Sequence, residues 1–142
     1  MKQKQIKYDL IGNALNKIDS KEVEIIIQTM PPYPWHFGGQ RYHNLFLDAD
    51  EIVKFCDTFD KRICLDVSHS KLYCNKTKKS FPEFLNKTCS YSAHFHIVDA
   101  AGLDSEGLQI DEGEIDFKNM GIIMNKLSPE SSFIPEIWQG HK

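Results

Sequence analysis

Gln28, Asp66, His96 and Glu136 each offer an oxygen or nitrogen able to bind a divalent cation, and each closes a short apolar segment. One carboxamide, two carboxylates and one imidazole form a mixed O/N donor set. Such a set suits Mn²⁺, Mg²⁺, Co²⁺ or Zn²⁺, and without thiolates it does not describe a structural zinc site. His69 follows Asp66 by three residues, in Asp66-Val-Ser-His69, so both side chains can stand over one opening. In His94-Phe-His96 the two-residue spacing puts both histidines on one face of a strand, with Phe95 and Ile97 on the other. Glu136 lies between Pro135 and Ile137 in a segment expected to be buried, where a carboxylate is costly unless paired or metal-bound.

The elements that must position these residues alternate along the chain. Strand patterns rich in β-branched and apolar residues occupy 23–28, 62–66, 92–98 and 132–138, with Pro135 interrupting the last. Helical spacing of apolar residues runs through 3–17, and Asp48 or Asp50 can cap a helix through Ile52, Phe55, Cys56 and Phe59. A shorter helix opens at Phe81 with Pro82 in its first turn, and Asp116 caps a last one through Phe117, Met120, Ile123 and Leu127. No hairpin signal separates the strands. Alternation of this kind predicts parallel strands joined by right-handed crossovers, in either a doubly wound sheet or a (β/α) barrel. No glycine-rich phosphate loop follows the first strand, which weakens the nucleotide-binding version. Gln28, Asp66, His96 and Glu136 would then converge on one rim at the carboxyl ends of the strands, where barrel enzymes place their chemistry.

Two loops would wall that rim. Residues 31–44 are dense in aromatics and include Trp35, His36, Phe37, Arg41 and His43, and residues 106–113 form the second. The composition, 41% hydrophobic and 26% charged over 142 residues, predicts one packed domain. A net charge of −3 gives no footing for nucleic acid, and the apolar runs are too short for a membrane span. Cys56, Cys64, Cys74 and Cys89 form no C-x-x-C pair and read as buried reduced thiols, which predicts a soluble cytoplasmic protein. The glycosylation-type triplets at Asn75 and Asn86 follow no signal peptide and read as chance matches.

The stretches C-L-D-V-S-H at 64–69, H-F-H-I-V-D-A at 94–100, E-G-E-I-D-F at 112–117 and P-E-I-W at 135–138 resemble the xylose-isomerase-like TIM barrels. That group includes sugar-phosphate isomerases, epimerases and endonuclease IV. The resemblance implies an α/β fold, the C-terminal half of a (β/α)8 barrel with four parallel strands alternating with helices. Residues 1–142 would form a partial barrel of roughly strands five to eight. It further implies a divalent metal (Mn, Mg, Co or Zn) on Gln28, Asp66, His96 and Glu136. Glu136 and His69 would be catalytic, and Trp35, His36, Arg41, His69, His94 and Asp99 would bind substrate. The implied activity is isomerisation or epimerisation of a sugar or sugar phosphate, absent from the isolated half. The alternatives are a non-catalytic or fragmentary domain of a larger carbohydrate-biosynthesis protein and an abasic-site endonuclease. Partners would be the small-molecule sugar and either the missing N-terminal half-barrel or a second copy, with no nucleic acid and no membrane. Gln28 departs from the group, in which many members carry glutamate at this place. Its oxygen can ligate a metal but cannot act as a general base. The arginine that some epimerases carry shortly after the strand-seven histidine is not evident.

Overall fold

The computed structural model describes residues 2–36 and 39–138. Helix α1 (Lys2–Leu15) precedes β1 (Ile27–Gln28), and α2 (Ala49–Phe59) leads into β4 (Ile63–Asp66). Helices α3 (Val67–Thr77) and α4 (Phe81–Thr88) then lead into β5 (Ser92–Ile97), and α5 (Phe117–Leu127) leads into β8 (Ser132–Pro135). The four strands form one parallel sheet in the order β1-β4-β5-β8, the sequential order of a barrel wall. Two small antiparallel ribbons stand apart from it, β2 (Trp35–His36) with β3 (Gly39–Gln40) and β6 (Asp99–Ala101) with β7 (Ser105–Leu108).

Local chemistry explains most of the helix boundaries. Asp48 caps α2 by accepting from Asp50 and Glu51 N–H, and Asp60 ends it in the left-handed region at φ 51°. Ser80 caps α4, whose Pro82 falls in the first turn, and Asp116 caps α5 through Asn119 N–H. The apolar faces so aligned, with Ile52, Phe55, Phe84, Leu85, Met120 and Ile123, bury against Ile63, Leu65 and Phe95 of the sheet. This packing supplies the rigid wall on which the strand ends are held.

Several expectations change. Hairpins do occur: Gly102, at φ 63°, sits in the turn between β6 and β7, and Gly39, at φ 105°, opens β3. The segment 23–28 forms a ladder only over Ile27–Gln28, because pairing starts where β4 starts and, among the described residues, β1 has no partner on its other side. The crossover from β4 to β5 holds two helices rather than one. The sequence of α3, V-S-H-S-K-L-Y-C-N-K-T, has no clear apolar stripe, since Ser68 and Ser70 are buried too. Their hydroxyls are satisfied by Asp66 Oδ1 and the Asp66 carbonyl, both at 2.8 Å. All four cysteines are buried and free. Among the described residues no helix is long and apolar enough to cross a membrane.

Candidate metal centre

Sheet register sets the site. His96 pairs with Asp66 on β4 and with Ile134 on β8, and His94 pairs with Cys64 and Ser132 one row below. Gln28 stands level with Cys64, and its longer side chain reaches up to the row above. Its Nε2 lies 3.1 Å from Asp66 Oδ2 and 3.2 Å from His96 Nδ1. Glu136 follows the end of β8, where its N–H donates to the Ile97 carbonyl and its Oε2 lies 2.6 Å from His96 Nδ1.

Asp66 does two jobs with one carboxylate. Oδ1 caps α3, accepting from His69 N–H at 3.0 Å and the Ser68 hydroxyl at 2.8 Å. Oδ2 faces Gln28, His96 and, at 3.5 Å, His69 Nδ1. The helix cap therefore uses one oxygen, which leaves the other facing the candidate donor set. Burial alone would raise the Asp66 pKa. The His96 hydrogen bond, the His69 charge and the two cap donors outweigh it and hold the carboxyl below its ordinary value.

The donor set around His96 Nδ1 cannot be satisfied by one proton. A protonated Nδ1 donates to Glu136 and then confronts the Gln28 amide N–H. An unprotonated Nδ1 accepts from Gln28 and then confronts the Glu136 carboxylate. One donor atom from each of Asp66, His96 and Glu136 lies within 4.8 Å of the others. Metal–ligand bonds of roughly 2.0–2.2 Å put ligand atoms about 3–4 Å apart, so small side-chain shifts would bring the three residues onto one divalent ion. Gln28 can join them only through its Oε1, which requires the amide to be turned.

A partly buried pair, His69 and Glu106, adjoins this cluster. His69 Nδ1 lies 2.8 Å from the Thr29 carbonyl, and its Nε2 lies 3.2 Å from Glu106 Oε2. That oxygen is sealed from solvent and has no well-aligned hydrogen bond. With Nδ1–H committed to a carbonyl, neutral His69 would turn a lone pair on the Glu106 carboxylate. Burial pulls the His69 pKa down, but the Glu106 contact, the Asp66 charge and the Thr29 carbonyl outweigh it and raise it. His96 is raised chiefly by its hydrogen bond to Asp66, against burial and with help from Glu136.

These shifts have a readable sign in the metal-free protein. The two raised histidines add stability that is complete below their unfolded value, about 6.5, and lost as pH rises through their folded values. The lowered Asp66 adds stability above its unfolded value of about 3.9, lost as pH falls through its folded one. With chelator present, the melting temperature should therefore fall from pH 6 towards pH 8.5. Saturating Mn²⁺, which needs neutral imidazole, should reverse that trend. Thermal melts across this range check it, and a flat metal-free profile would contradict the assigned shifts.

The remaining candidates are placed as follows. His94 shares the His96 face, their rings perpendicular at 5.4 Å between centroids, and its Nδ1 meets the Ser132 hydroxyl at 2.7 Å. Arg41 is exposed on the segment after β3 and joins none of the contacts described for the cluster. Trp35 and His36 form β2, but their side chains and Phe37 lie outside the described residues. Two expectations need correction. Glu136 is not a buried carboxylate: its side chain is 51% exposed, because it lies beyond the end of an edge strand. Asp99 does not face a ligand. It is 0% exposed and accepts from the N–H groups of Ala100, Gly113 and Ile115, which pin the 99–116 segment.

Glu106 was missed by sequence reasoning. Its one signal was an acidic residue in a loop already assigned to the rim, and nothing local marked it as a partner of His69. Asp66, Ser68, His69, Glu106, Glu136 and Trp138 line one hollow of about 160 Å³. Trp138 closes one side by lying on Gly107, where a β-carbon would sit 2.4 Å from the ring. A larger hollow of about 500 Å³ between α1 and α2 contains none of the cluster.

Fold and site together define a (β/α) barrel wall carrying a metal-capable group at the carboxyl ends of its strands. The sequence matches the family model described as xylose isomerase-like TIM barrel over residues 3–142, and the chain belongs to that family. No match to a curated protein accompanies it.

Proposed function

We propose that this chain carries the metal-binding rim of a divalent-metal-dependent isomerase or epimerase acting on a sugar or sugar phosphate. The observation that supports the reading is the convergence of Asp66, His96 and Glu136 within 4.8 Å at the ends of neighbouring parallel strands. These residues would hold the ion, with Gln28 as a fourth. When bound, a divalent ion supplies stabilisation of negative charge on oxygens of adjacent carbons. Glu136, half exposed at the mouth, is the residue placed to take and return a proton at a substrate carbon. His69, held by Thr29 and Glu106 through its two ring nitrogens, lines the same hollow and would orient a hydroxyl through Nε2 only by exchanging the Glu106 contact for it. Trp138 excludes water on one side, and Arg41 remains a proposed phosphate contact from the 31–44 loop.

The described residues supply four parallel strands of the eight that close such a barrel, so turnover would require the other wall. The net charge of −3 disfavours the abasic-site endonuclease alternative. Four buried, unpaired thiols, each pushed up to about 12 by burial, support a reducing cytoplasmic setting. A second reading, ion binding without turnover, is favoured by Gln28, which cannot serve as the second proton-transfer base.

The test is divalent-metal titration together with deuterium exchange from solvent into a panel of aldoses, ketoses and their phosphates. One ion per chain is expected, and exchange into at least one sugar once a second wall closes the barrel, both lost in the Asp66→Ala, Glu136→Ala double variant. Undiminished exchange in that variant would sink the isomerase reading. Metal binding with no exchange into any sugar would leave the second reading standing.

A further inference from the structure

We infer, on the metal-binding reading proposed above, that Gln28 keeps the loaded centre electrically neutral and so suits it to a ligand that chelates the ion as an anion. Such a ligand binds through a carboxylate or enediolate oxygen together with the oxygen on the next carbon.

The amide of Gln28 stands among the donors and not behind them. Its end lies 3.1 Å from Asp66 Oδ2 and 3.2 Å from His96 Nδ1. Atoms bound to one divalent ion keep separations of about 3–4 Å from each other. The backbone is held at that depth by the pairing of Gln28 with Cys64 across β1 and β4. With Nε2 inward, the side chain gives a proton to Asp66 Oδ2 and steadies that carboxylate. With Oε1 inward, it offers a lone pair to a cation. A half-turn of the carboxamide exchanges the two while the stem stays in place, and neither state adds charge.

The charge count follows from the residue types. Asp66 and Glu136 each bring one negative charge, whereas a ligating imidazole and a carboxamide bring none. Two carboxylates balance one divalent ion. The hollow beside the cluster adds little to that balance. Among the described residues no lysine or arginine lines it, and its remaining carboxylate, Glu106, is turned to His69 Nε2 at 3.2 Å. An anion entering the hollow therefore meets its counter-charge on the ion itself.

A carboxylate in place of the Gln28 amide would leave the loaded centre with a net negative charge. Glu136 is half exposed, so the screening is that of a site near the surface. At the ~4 Å between ligands of one ion, a unit charge then changes the binding of its neighbour by roughly 10- to 100-fold. The sign is opposite for the two partners. An extra negative charge holds the ion more tightly and the anion on it more weakly, so Gln28 exchanges affinity for the ion against affinity for an anionic ligand.

The test compares the wild-type chain with Gln28→Glu and Gln28→Met variants. Mn²⁺ is titrated by calorimetry, and oxalate, a chelating anion, is then titrated into each Mn²⁺-loaded protein and followed by water-proton relaxation. Gln28→Glu should bind Mn²⁺ about 10- to 100-fold more tightly than the wild type and, once loaded, oxalate about 10- to 100-fold more weakly. Gln28→Met keeps the size and the neutrality but removes the ligand oxygen. It should bind Mn²⁺ about 10-fold more weakly, with unchanged oxalate affinity in the loaded protein. Equal oxalate affinity in the wild type and Gln28→Glu, with Mn²⁺ bound to both, overturns this inference alone. So do variants that change the metal-free melting temperature but neither affinity, which would make Gln28 a packing residue. A wild type that binds no Mn²⁺ overturns both the inference and the metal-binding reading beneath it.

Discussion

Asp66→Asn should weaken divalent-metal binding on the order of 100-fold or more while leaving the fold largely intact. The asymmetry of the carboxylate is the reason. Oδ1 is spent on capping α3, and an asparagine oxygen can accept from His69 N–H and Ser68 equally well. Oδ2 faces His96 and Gln28, and replacing it with an amide nitrogen removes both a negative charge and a lone pair from the donor set. Asp66→Ala should lose the metal too, and in addition about 1–2 kcal/mol for the missing cap. Calorimetric titration with Mn²⁺ or Co²⁺ and urea unfolding of both variants separate the two effects. Wild-type affinity in Asp66→Asn would remove Asp66 from the ligand set. Loss of stability equal in both variants would show that the charge, and not the cap, holds α3.

The second large effect belongs to a residue with no place in the chemistry. Asp99→Ala should destabilise the protein by about 3–5 kcal/mol, because three backbone N–H groups lose a shared acceptor in a buried site. No neighbouring group can move in easily. Gly113 approaches so closely that a β-carbon there would stand 2.3 Å from Asp99 Oδ1 and 2.6 Å from the Ala100 carbonyl. The segment so released carries Glu106 and Gly107, and with them the partner of His69 and the seat of Trp138. Denaturant titration gives the energy, and amide exchange at Gly113 and Ile115 locates it. A loss below about 1 kcal/mol would show that water replaces the carboxylate without cost.

Much of the architecture was legible because it rests on short-range signals. Asp48 and Asp116 announced their helices through the N–H groups two or three residues ahead, and Pro82 marked the first turn of α4. The strands before Asp66 and His96 were visible as apolar runs between polar ones. Helix α3 was not, since its buried hydroxyls look polar in sequence and become apolar-compatible only once Asp66 accepts from them. The hairpins escaped for a different reason. Their two- to four-residue strands carry too few side chains for a period to show.

The sequence by itself determined which residues carry cation-competent atoms and that Asp66, His96 and Glu136 stand at or just beyond the ends of successive strands. Only the tertiary structure decided how they meet. Gln28 reaches Asp66 across 38 positions and His96 across 68, distances at which sheet register alone sets the contact. The same register left Glu136 exposed at an edge, put Glu106 against His69 and turned Asp99 inward to hold backbone. Local sequence specifies the chemistry of each group through its own atoms. Burial, charge and partner are properties of the neighbours, and here the nearest neighbours come from other strands.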